Sequence, residues 1–245
     1  MKAEVAKKIL GQTKDSYNSI ADYFDQTRSY LWPGLNNFKK FVKDNNKILD
    51  LGCGNGKLRL LFKDVKIDYT GVDNSNQLIR IAQERENFRI ANQNFIISDV
   101  YNLPFMDNTF DVIFFIAVFH HIPGHDLRQK TLAEIKRVLK PGGTLVMTNW
   151  NRYQRRGTQL KYIIKYTWLK IIGRSELDFK DVWLPWMRGK AYRYYHAFTL
   201  GELKKNISQS GLKLQENYLA MWGGKRVSNL GYLSAANLVT IAKKC

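Results

Sequence analysis

The stretch Lys47-Ile-Leu-Asp-Leu-Gly-Cys-Gly-Asn-Gly-Lys57 decides the fold of this 245-residue chain. Its first half is apolar and suits a buried strand, and its second half carries Gly52, Gly54 and Gly56 at alternate positions. The helix-permissive segment 58–62 follows directly. This order predicts a strand, a tight turn and a helix. Because glycine has no Cβ, such a turn lets a ligand approach the main chain, so we expect a binding loop here.

Spacing and charge indicate the kind of ligand that this loop binds. A dinucleotide-binding loop has its third glycine, or an alanine, five residues after the first, and this chain has Lys57 at that position. Asp50 at the end of the strand would repel a phosphate but suits an ammonium group. The N-terminus of the following helix can hold a carboxylate. The loop therefore predicts a ligand with an amino-acid end attached to a nucleoside.

Length and composition fit one α/β domain with an elaboration, since 44% of the residues are hydrophobic. The net charge of +18 favours a polyanionic partner, either nucleic acid or an anionic membrane surface, although a generally basic proteome would also explain it. Two cysteines make no disulfide framework, so we expect a reducing, cytoplasmic compartment. We expect no metal site from the cysteine and histidine spacing. The longest apolar run, 112–119, is too short to span a bilayer.

Acidic residues end the next two predicted strands. Strand 67–73 ends in Asp73, and strand 94–99 ends in Asp99. A carboxylate at the end of a second parallel strand can accept both hydroxyls of a ribose. The apolar run 110–117 suits a strand buried on both faces, and His121 follows it at the edge where open α/β sheets bind ligands. The alternation of strands and helices predicts a parallel, doubly wound sheet.

These motifs together resemble the class I S-adenosylmethionine-dependent methyltransferases, whose first motif is similar to Asp50-Leu-Gly-Cys-Gly-Asn-Gly56. The resemblance implies an α/β, Rossmann-like fold: a mostly parallel seven-stranded sheet, helices on both faces and an antiparallel last strand. It also implies S-adenosylmethionine as the cofactor, with Asp99 and Val100 at the adenine. The expected cofactor-binding residues are Asp50, Gly52, Cys53, Gly54, Gly56, Asp73, Asn74, Asp99, Val100, Ile116 and Ala117.

The chain divides into parts within a single predicted methyltransferase domain, 1–245. We expect an N-terminal helical lid at 1–44, a core at 45–150 and 197–245, and a basic, aromatic insertion at 151–196. The insertion carries eleven Lys or Arg against three acids, together with ten aromatic residues. This mixture suits single-stranded RNA. A cap packed on the core, and an amphipathic helix at 158–172 lying on an anionic membrane, are the alternatives.

A narrower resemblance is to the tRNA wobble-uridine carboxymethyl methyltransferases, which esterify 5-carboxymethyluridine in the anticodon loop. It is carried by Tyr17-x-x-Ile-Ala-x-x-Phe24, Thr27-Arg28, Trp32-Pro33, Ala117-Val-Phe-His-His121, Asp181-Val-Trp-Leu-Pro-Trp186 and Arg193-Tyr-Tyr-His-Ala-Phe198. This family usually has Trp-Ala-x-Glu-Gln where the chain has Trp150-Asn-Arg-Tyr-Gln154, so an acid is lost. The resemblance implies tRNA as a partner. Relatives in some lineages also work with a small zinc-binding activator protein.

A carboxylate acceptor would need orienting groups and no general base, because it is already ionised at neutral pH. For the catalytic site we expect Arg28, Arg193 and Tyr195 to hold the acid, and His121 and His196 to shape the pocket. Arg28 is expected to bind one carboxylate oxygen and leave the other free. The expected substrate-binding residues are Tyr17, Trp32, Trp150 and Arg152.

Three other functions remain open at this point. One is a methyltransferase for small molecules or lipid quinones that associates with membrane surfaces. Another is a different RNA methyltransferase that acts on a base or ribose and needs a general base, for which His121 is the candidate. The third is a non-enzymatic RNA-binding module that retains the fold.

Overall fold

The computed structural model of the protein describes residues 1–28, 30–85, 90, 92–154, 159–186, 189 and 191–245. The strands are β1 (Lys47–Leu51), β2 (Asp68–Asp73), β3 (Asn92–Ile97), β4 (Phe110–Ile116), β5 (Leu139–Trp150), β6 (Asp181–Trp186), β7 (Ala191–His196), β8 (Lys213–Ala220), β9 (Arg226–Val227) and β10 (Asn237–Lys243). The α-helices are α1 (Ala3–Ser19), α2 (Ala21–Thr27), α3 (Asn76–Glu84), α4 (His125–Val138), α5 (Gln159–Ile171) and α6 (Leu200–Ser210). Short 3₁₀ helices cover Pro33–Phe41, Lys57–Phe62, Phe119–His121 and Asn229–Leu233.

Eight strands form the main sheet in the order β3-β2-β1-β4-β5-β10-β8-β9. The first five are parallel, and β10 runs antiparallel between β5 and β8. This arrangement confirms the predicted Rossmann-like fold. The prediction of seven strands missed β9, a two-residue strand that pairs with the end of β8 because the turn at 221–225 folds the chain back on itself.

The core lies on both faces of the sheet, as the continuous apolar run of β4 predicts. Ile113 and Phe115 point into one apolar cluster, which also contains side chains of α4 and α6. Val112 and Phe114 belong to the other, which the 33–41 helix and α3 cover. Each of these side chains is at most 3% exposed, and burial of one is worth about 1.5–3 kcal/mol.

The N-terminal segment, predicted as a helical lid over 1–44, is not one continuous helix. Ile20 leaves the helical conformation, with φ −115° and ψ 10°, so α1 ends and α2 begins there. α1 packs against β7 and α3. α2 lies beside the glycine loop, where Asp25 Oδ1 accepts a hydrogen bond from Asn55 Nδ2 at 2.8 Å. The N-terminal segment therefore covers the carboxyl end of the sheet.

The described part of the insertion contains α5 and a separate antiparallel pair of strands, β6 and β7. Ile163 of α5 is buried against this pair. Another face of α5 exposes large apolar side chains: Leu160, Ile164, Trp168, Ile171 and, just beyond, Ile172. Among the described helices, none combines the length and the apolar character needed to cross a membrane. Outside the described residues lie Arg155, Arg156, Thr158, Arg188 and Lys190.

Candidate active site

A cavity lies at the carboxyl ends of the parallel strands, at the place where the sequence predicts a ligand site. The glycine loop, the ends of β2, β4 and β5, the N-terminal helices and β7 all contribute to its lining. The predicted site residues that line it are Tyr17, Arg28, Trp32, Asp50, Gly52, Cys53, Gly54, Asp73, Asn74, Asp99, Val100, Ile116, Ala117, His121, Trp150 and Arg193. Those that do not line it are Gly56, Arg152, Tyr195 and His196.

The three loop glycines serve different purposes. Gly52 has φ +74°, and a Cβ there would collide with Val118. Gly56 has φ +70°, and a Cβ there would lie 2.9 Å from the ring of Phe95. Gly54 faces the cavity, where its nearest neighbour is the ring of Phe24 at 3.4 Å. Gly54 therefore leaves its main chain accessible to a ligand, whereas a glycine is required at position 56 by packing within the protein. The role of Gly56 in cofactor binding stays a prediction.

Asp50 is a buried carboxyl group in the cavity lining, only 3% exposed. The hydroxyl group of Tyr69 donates a hydrogen bond to its Oδ2 atom. Burial, aided by the negative charge of Asp73, raises the pKa of Asp50 to about 7, against the opposing effects of Tyr69 and Lys57. A ligand cation beside this carboxyl group would stabilise its ionised form.

Polar side chains at the ends of β2 and β3 form a connected row. Asp73 accepts hydrogen bonds from the main-chain N–H groups of Gly54 and Ser75, both at 2.9 Å. Asn74 Nδ2 donates to Asp99 Oδ1 at 3.1 Å. Because a carboxylate has about four acceptor positions, Asp73 and Asp99 keep capacity for hydroxyl and amino groups of a ligand.

The end of β4 turns sharply and brings a histidine to the cavity. Ala117 has φ +58°, a strained conformation for a residue with a side chain, and its N–H donates to the carbonyl oxygen of Thr148 at 2.9 Å. His121 Nδ1 donates to the carbonyl oxygen of Tyr194 at 2.7 Å, so its Nε2 accepts from the Tyr17 hydroxyl at 2.9 Å. Burial, aided by the charge of Arg193, lowers the pKa of His121 to about 3. The imidazole is neutral, and the lone pair of its Nε2 atom accepts the hydrogen bond from Tyr17.

Arg193 places a buried positive charge in the cavity lining, only 5% exposed. Its guanidinium carbon lies 4.1 Å from the ring centroid of Trp186 and 5.8 Å from those of Tyr17 and Trp150. Nη1 donates to the Tyr17 hydroxyl at 3.4 Å, while Nε has no hydrogen-bond partner among the described residues. None of the ion pairs between described residues includes Arg193. An anion is the ligand that this aromatic-walled site fits.

Arg28 lies beside the glycine loop. Its carbonyl oxygen accepts a hydrogen bond from Asn55 Nδ2 at 3.4 Å. Together with burial, its charge lowers the pKa of Lys57 to about 8, and both cations line the cavity. Arg28 and Arg193 were expected to hold the same acid, but the structure places them among different neighbours.

Tyr195 and Arg152 lie behind the cavity lining. The Tyr195 ring packs 4.5 Å from the ring of His121, centroid to centroid, and the guanidinium carbon of Arg152 lies 3.7 Å from the Tyr195 ring centroid. Arg152 Nη1 also donates to Gln159 Oε1 at 2.7 Å. These two side chains support His121 and do not reach the cavity themselves.

His196 is held away from the cavity by two carboxylates. Its Nδ1 lies 2.6 Å from Asp181 Oδ1, and its Nε2 lies 2.6 Å from Glu202 Oε1. Because Asp181 begins β6 and Glu202 belongs to α6, this network joins the β6–β7 pair to the core. His196 thus links two parts of the fold and does not line the cavity, and its predicted role in shaping the pocket stays a prediction.

The polar and aromatic cavity-lining residues that sequence reasoning missed include Asn55, Lys57, Thr148, Trp222 and Asn237. Asn55 and Lys57 adjoin the glycines, a position that is itself a usable signal. The others carry no local motif, because they reach the cavity through the pairing of β5, β10 and β8. Among the described residues, no group of three or more His, Cys, Asp or Glu side chains is placed to hold a metal ion.

Comparison with known sequences finds methyltransferases. The family model described as a methyltransferase domain matches residues 49–147. The tRNA (carboxymethyluridine(34)-5-O)-methyltransferase of Arabidopsis thaliana is 34% identical over 60% of this chain, which spans only 34% of that protein. A protein of Encephalitozoon cuniculi named "Putative methyltransferase" is 30% identical over 82% of this chain and 87% of its own length.

Comparison with solved structures finds the same fold. A methyltransferase of Methanosarcina mazei described as S-adenosylmethionine-dependent aligns with a TM-score of 0.68 at 21% identity, over 85% of this chain and 96% of that one. A chain from the complex between the Trm112 methyltransferase activator of Haloferax volcanii and a methyltransferase aligns with a TM-score of 0.64 at 17% identity, over 95% and 97% of the two chains.

Proposed function

Since this chain belongs to the methyltransferases, we propose that it uses S-adenosylmethionine to esterify the carboxylate of 5-carboxymethyluridine at the wobble position of a tRNA. One observation carries the proposal: the buried guanidinium of Arg193 lines the cavity without an acid partner among the described residues. A buried charge that lacks a partner is costly, and a substrate carboxylate would balance it. The relative named for carboxymethyluridine methylation supports the same substrate.

The loop side of the cavity fits S-adenosylmethionine. We propose that Asp50 binds the ammonium group, that Arg28 and Lys57 bind the carboxylate, and that Asp73 binds the ribose hydroxyls. Asp99 and Val100 are then left for the adenine. Bound at this site, the cofactor would supply a methyl group activated by its sulfonium charge. The proposed role of Arg28 thus differs from the one that the sequence motifs predicted, because Arg28 lies beside Asn55 and Lys57.

The remaining task of the protein is to orient and desolvate the acceptor carboxylate. Arg193 offers hydrogen bonds from a fixed, planar group, and Trp186 and Trp150 keep water from it. Proximity of this kind is worth up to about 7–11 kcal/mol. No proton has to be removed from a carboxylate, so the neutral His121 suits a positioning role in which it holds the Tyr17 hydroxyl.

The charge of the molecule supports a tRNA as the carrier of that carboxylate. The net charge is +18, and the insertion holds an excess of cations over acids. We further propose that a small activator protein of the kind named in the Haloferax volcanii complex is a partner of this chain. A cytoplasmic location, which tRNA as the substrate would fit, stays a prediction.

The direct test is incubation with labelled S-adenosylmethionine and tRNA from cells that lack the protein, followed by mass analysis of the nucleosides. We expect the mass of one methyl group to be gained on carboxymethyluridine and lost again in mild alkali, as an ester should be. Transfer RNA that lacks the carboxymethyl group is the matched control and should gain no label. An alkali-stable methyl group on another nucleoside would contradict the proposal.

A second candidate function is methyl transfer to a quinone or another lipid at a membrane surface. The exposed apolar face of α5, with Ile164, Trp168 and Ile171 beside the exposed Lys161 and Lys165, favours it. Label that appears in a lipid extract and not in tRNA would support this candidate. Binding to anionic vesicles that is abolished by Ile164→Asp would support it further.

A further inference from the structure

The turn between β8 and β9 presents an exposed tryptophan at the cavity. Trp222 contributes to the cavity lining, and 54% of its side chain is nevertheless exposed. Its neighbour Trp32, 5.9 Å away between ring centroids, is only 9% exposed. Lys225 of the same turn and Arg226, the first residue of β9, are also exposed. A large aromatic surface and two cations therefore lie close together in the sequence at one part of the cavity lining.

Contacts with the 33–41 segment hold this turn in place. Gly224 has φ +85° and lies so close to Gly34 that a Cβ on Gly224 would be 2.8 Å from the Gly34 Cα atom. Asn37 Nδ2 donates to the carbonyl oxygen of Gly224 at 3.0 Å. Trp32 Nε1 donates to the carbonyl oxygen of Trp222. Because the backbone of the turn is fixed at Trp222 and at Gly224, Trp222 is held at the cavity.

We propose that Trp222 is a stacking platform for an unpaired RNA base next to the methylated nucleotide, and that Lys225 contacts the phosphate backbone there. This inference rests on the proposed function, since it takes RNA as the acceptor. Aromatic rings bind splayed bases by stacking, and each stacked base is worth about 1–3 kcal/mol. Lys225 is the better candidate for the phosphate, because Arg226 already lies 3.5 Å from Glu216 and over the ring of Tyr218.

The test compares Trp222→Ala and Trp222→Phe with Met106→Ala. Met106 is the control, since this large apolar side chain is 84% exposed, lies outside the insertion and does not line the cavity. For Trp222→Ala we expect the Kd for an anticodon stem-loop RNA and the KM for tRNA to rise about 5- to 150-fold, the equivalent of one lost stack. For Trp222→Phe we expect a smaller rise in both values, because an aromatic ring remains. Met106→Ala should leave both values unchanged, and the Kd for S-adenosylmethionine should stay constant in all three variants.

A second measurement addresses the cation. Lys225→Gln should lower the slope of log affinity against log salt for the stem-loop by about one counterion, and should leave the Kd for the cofactor unchanged. This variant leaves the fixed backbone of the turn intact, so it is informative even where Trp222→Ala does not fold.

Several results would overturn the inference. These are an unchanged RNA affinity in Trp222→Ala, an equal loss of cofactor affinity in that variant, or binding to anionic vesicles that depends on Trp222 while RNA binding does not. Absence of stem-loop binding by the wild-type protein would overturn it as well. Methylation of tRNA with equal KM in wild type and Trp222→Ala would remove this inference alone. Trp222-dependent RNA binding without methyl transfer to carboxymethyluridine would instead remove the proposed function.

Discussion

The two sides of the cavity differ in how their charges are arranged. The loop side, made by the glycine loop and the residues beside it, carries both signs: Asp50 and Asp73 together with Lys57 and Arg28. The acceptor side, made by Tyr17, His121, Trp150 and Arg193, carries one cation among aromatic rings. A zwitterionic amino-acid end fits the first arrangement, and an anion fits the second. The difference indicates that a cofactor and an acceptor would bind to different sides of the cavity because their charges differ.

Removal of the cation of the acceptor side is expected to have the largest effect and tests whether the two sides bind different ligands. Arg193→Ala should reduce kcat/KM for tRNA about 100-fold, because loss of one member of a buried charge pair costs about 2–5 kcal/mol. Affinity for S-adenosylmethionine, measured by calorimetry, should change little. Arg193→Lys should not restore the rate, since an ammonium group cannot reproduce the planar, forked contact.

Arg80→Ala is the matched control for Arg193→Ala, because Arg80 is exposed on α3, outside the insertion, and does not line the cavity. It should leave kcat/KM almost unchanged. If Arg193→Ala weakened cofactor binding as much as methyl transfer, the division of the cavity into two sides would be wrong.

The pH dependence of cofactor affinity tests the role of Asp50 on the loop side. The pKa of Asp50 is about 7 without a ligand and should fall when an ammonium group binds beside it, so binding should release a proton from Asp50. Affinity for S-adenosylmethionine should therefore weaken as pH falls below 7, by up to about tenfold per pH unit. Calorimetry between about pH 6 and pH 8, in buffers of different ionisation enthalpy, measures both the affinity and the released proton.

Asp50→Asn is the control for this pH dependence. The variant should bind the cofactor more weakly at pH 8 and should show a nearly flat affinity from pH 8 to pH 6. The same slope in Asp50→Asn and wild type would assign the proton to another group and contradict the role of Asp50.

The smallest expected effect concerns the histidine of the acceptor side. Because burial and Arg193 lower the pKa of His121 to about 3, the imidazole does not titrate near neutral pH. The maximal rate with saturating tRNA and cofactor should change less than about twofold between pH 6 and pH 8. Single-turnover measurements isolate this step. An acid limb near pH 6–7 that disappears in His121→Gln would instead support a general base and another RNA acceptor.

The loop side was largely predictable from the sequence, because its signals are local. A strand, alternating glycines and acids at successive strand ends can be recognised in short windows, and the structure brings Asp50, Asp73 and Asp99 to one cavity. The antiparallel direction of β10 came from family resemblance, since periodicity carries no direction.

The contacts of a residue could not be predicted from the sequence where its partner is distant in the chain. Gly56 is required by Phe95 of β3, which only the parallel pairing of β2 and β3 brings near. His196 is engaged by Asp181 and Glu202, and neither contact has a sequence pattern. Trp222 reaches the cavity because Gly224 packs on Gly34, about 190 residues earlier. Such contacts follow from the tertiary fold alone.

The position of β10 affects how the protein folds during its synthesis on the ribosome. This strand lies between β5 and β8, although both precede it in the chain. During translation, β5 and β8 therefore leave the ribosome before the strand that joins them, and each carries an unpaired backbone edge until 237–243 emerges. Unpaired edges invite aggregation. The nascent polypeptide is expected to depend on chaperones during that interval more than the finished enzyme does.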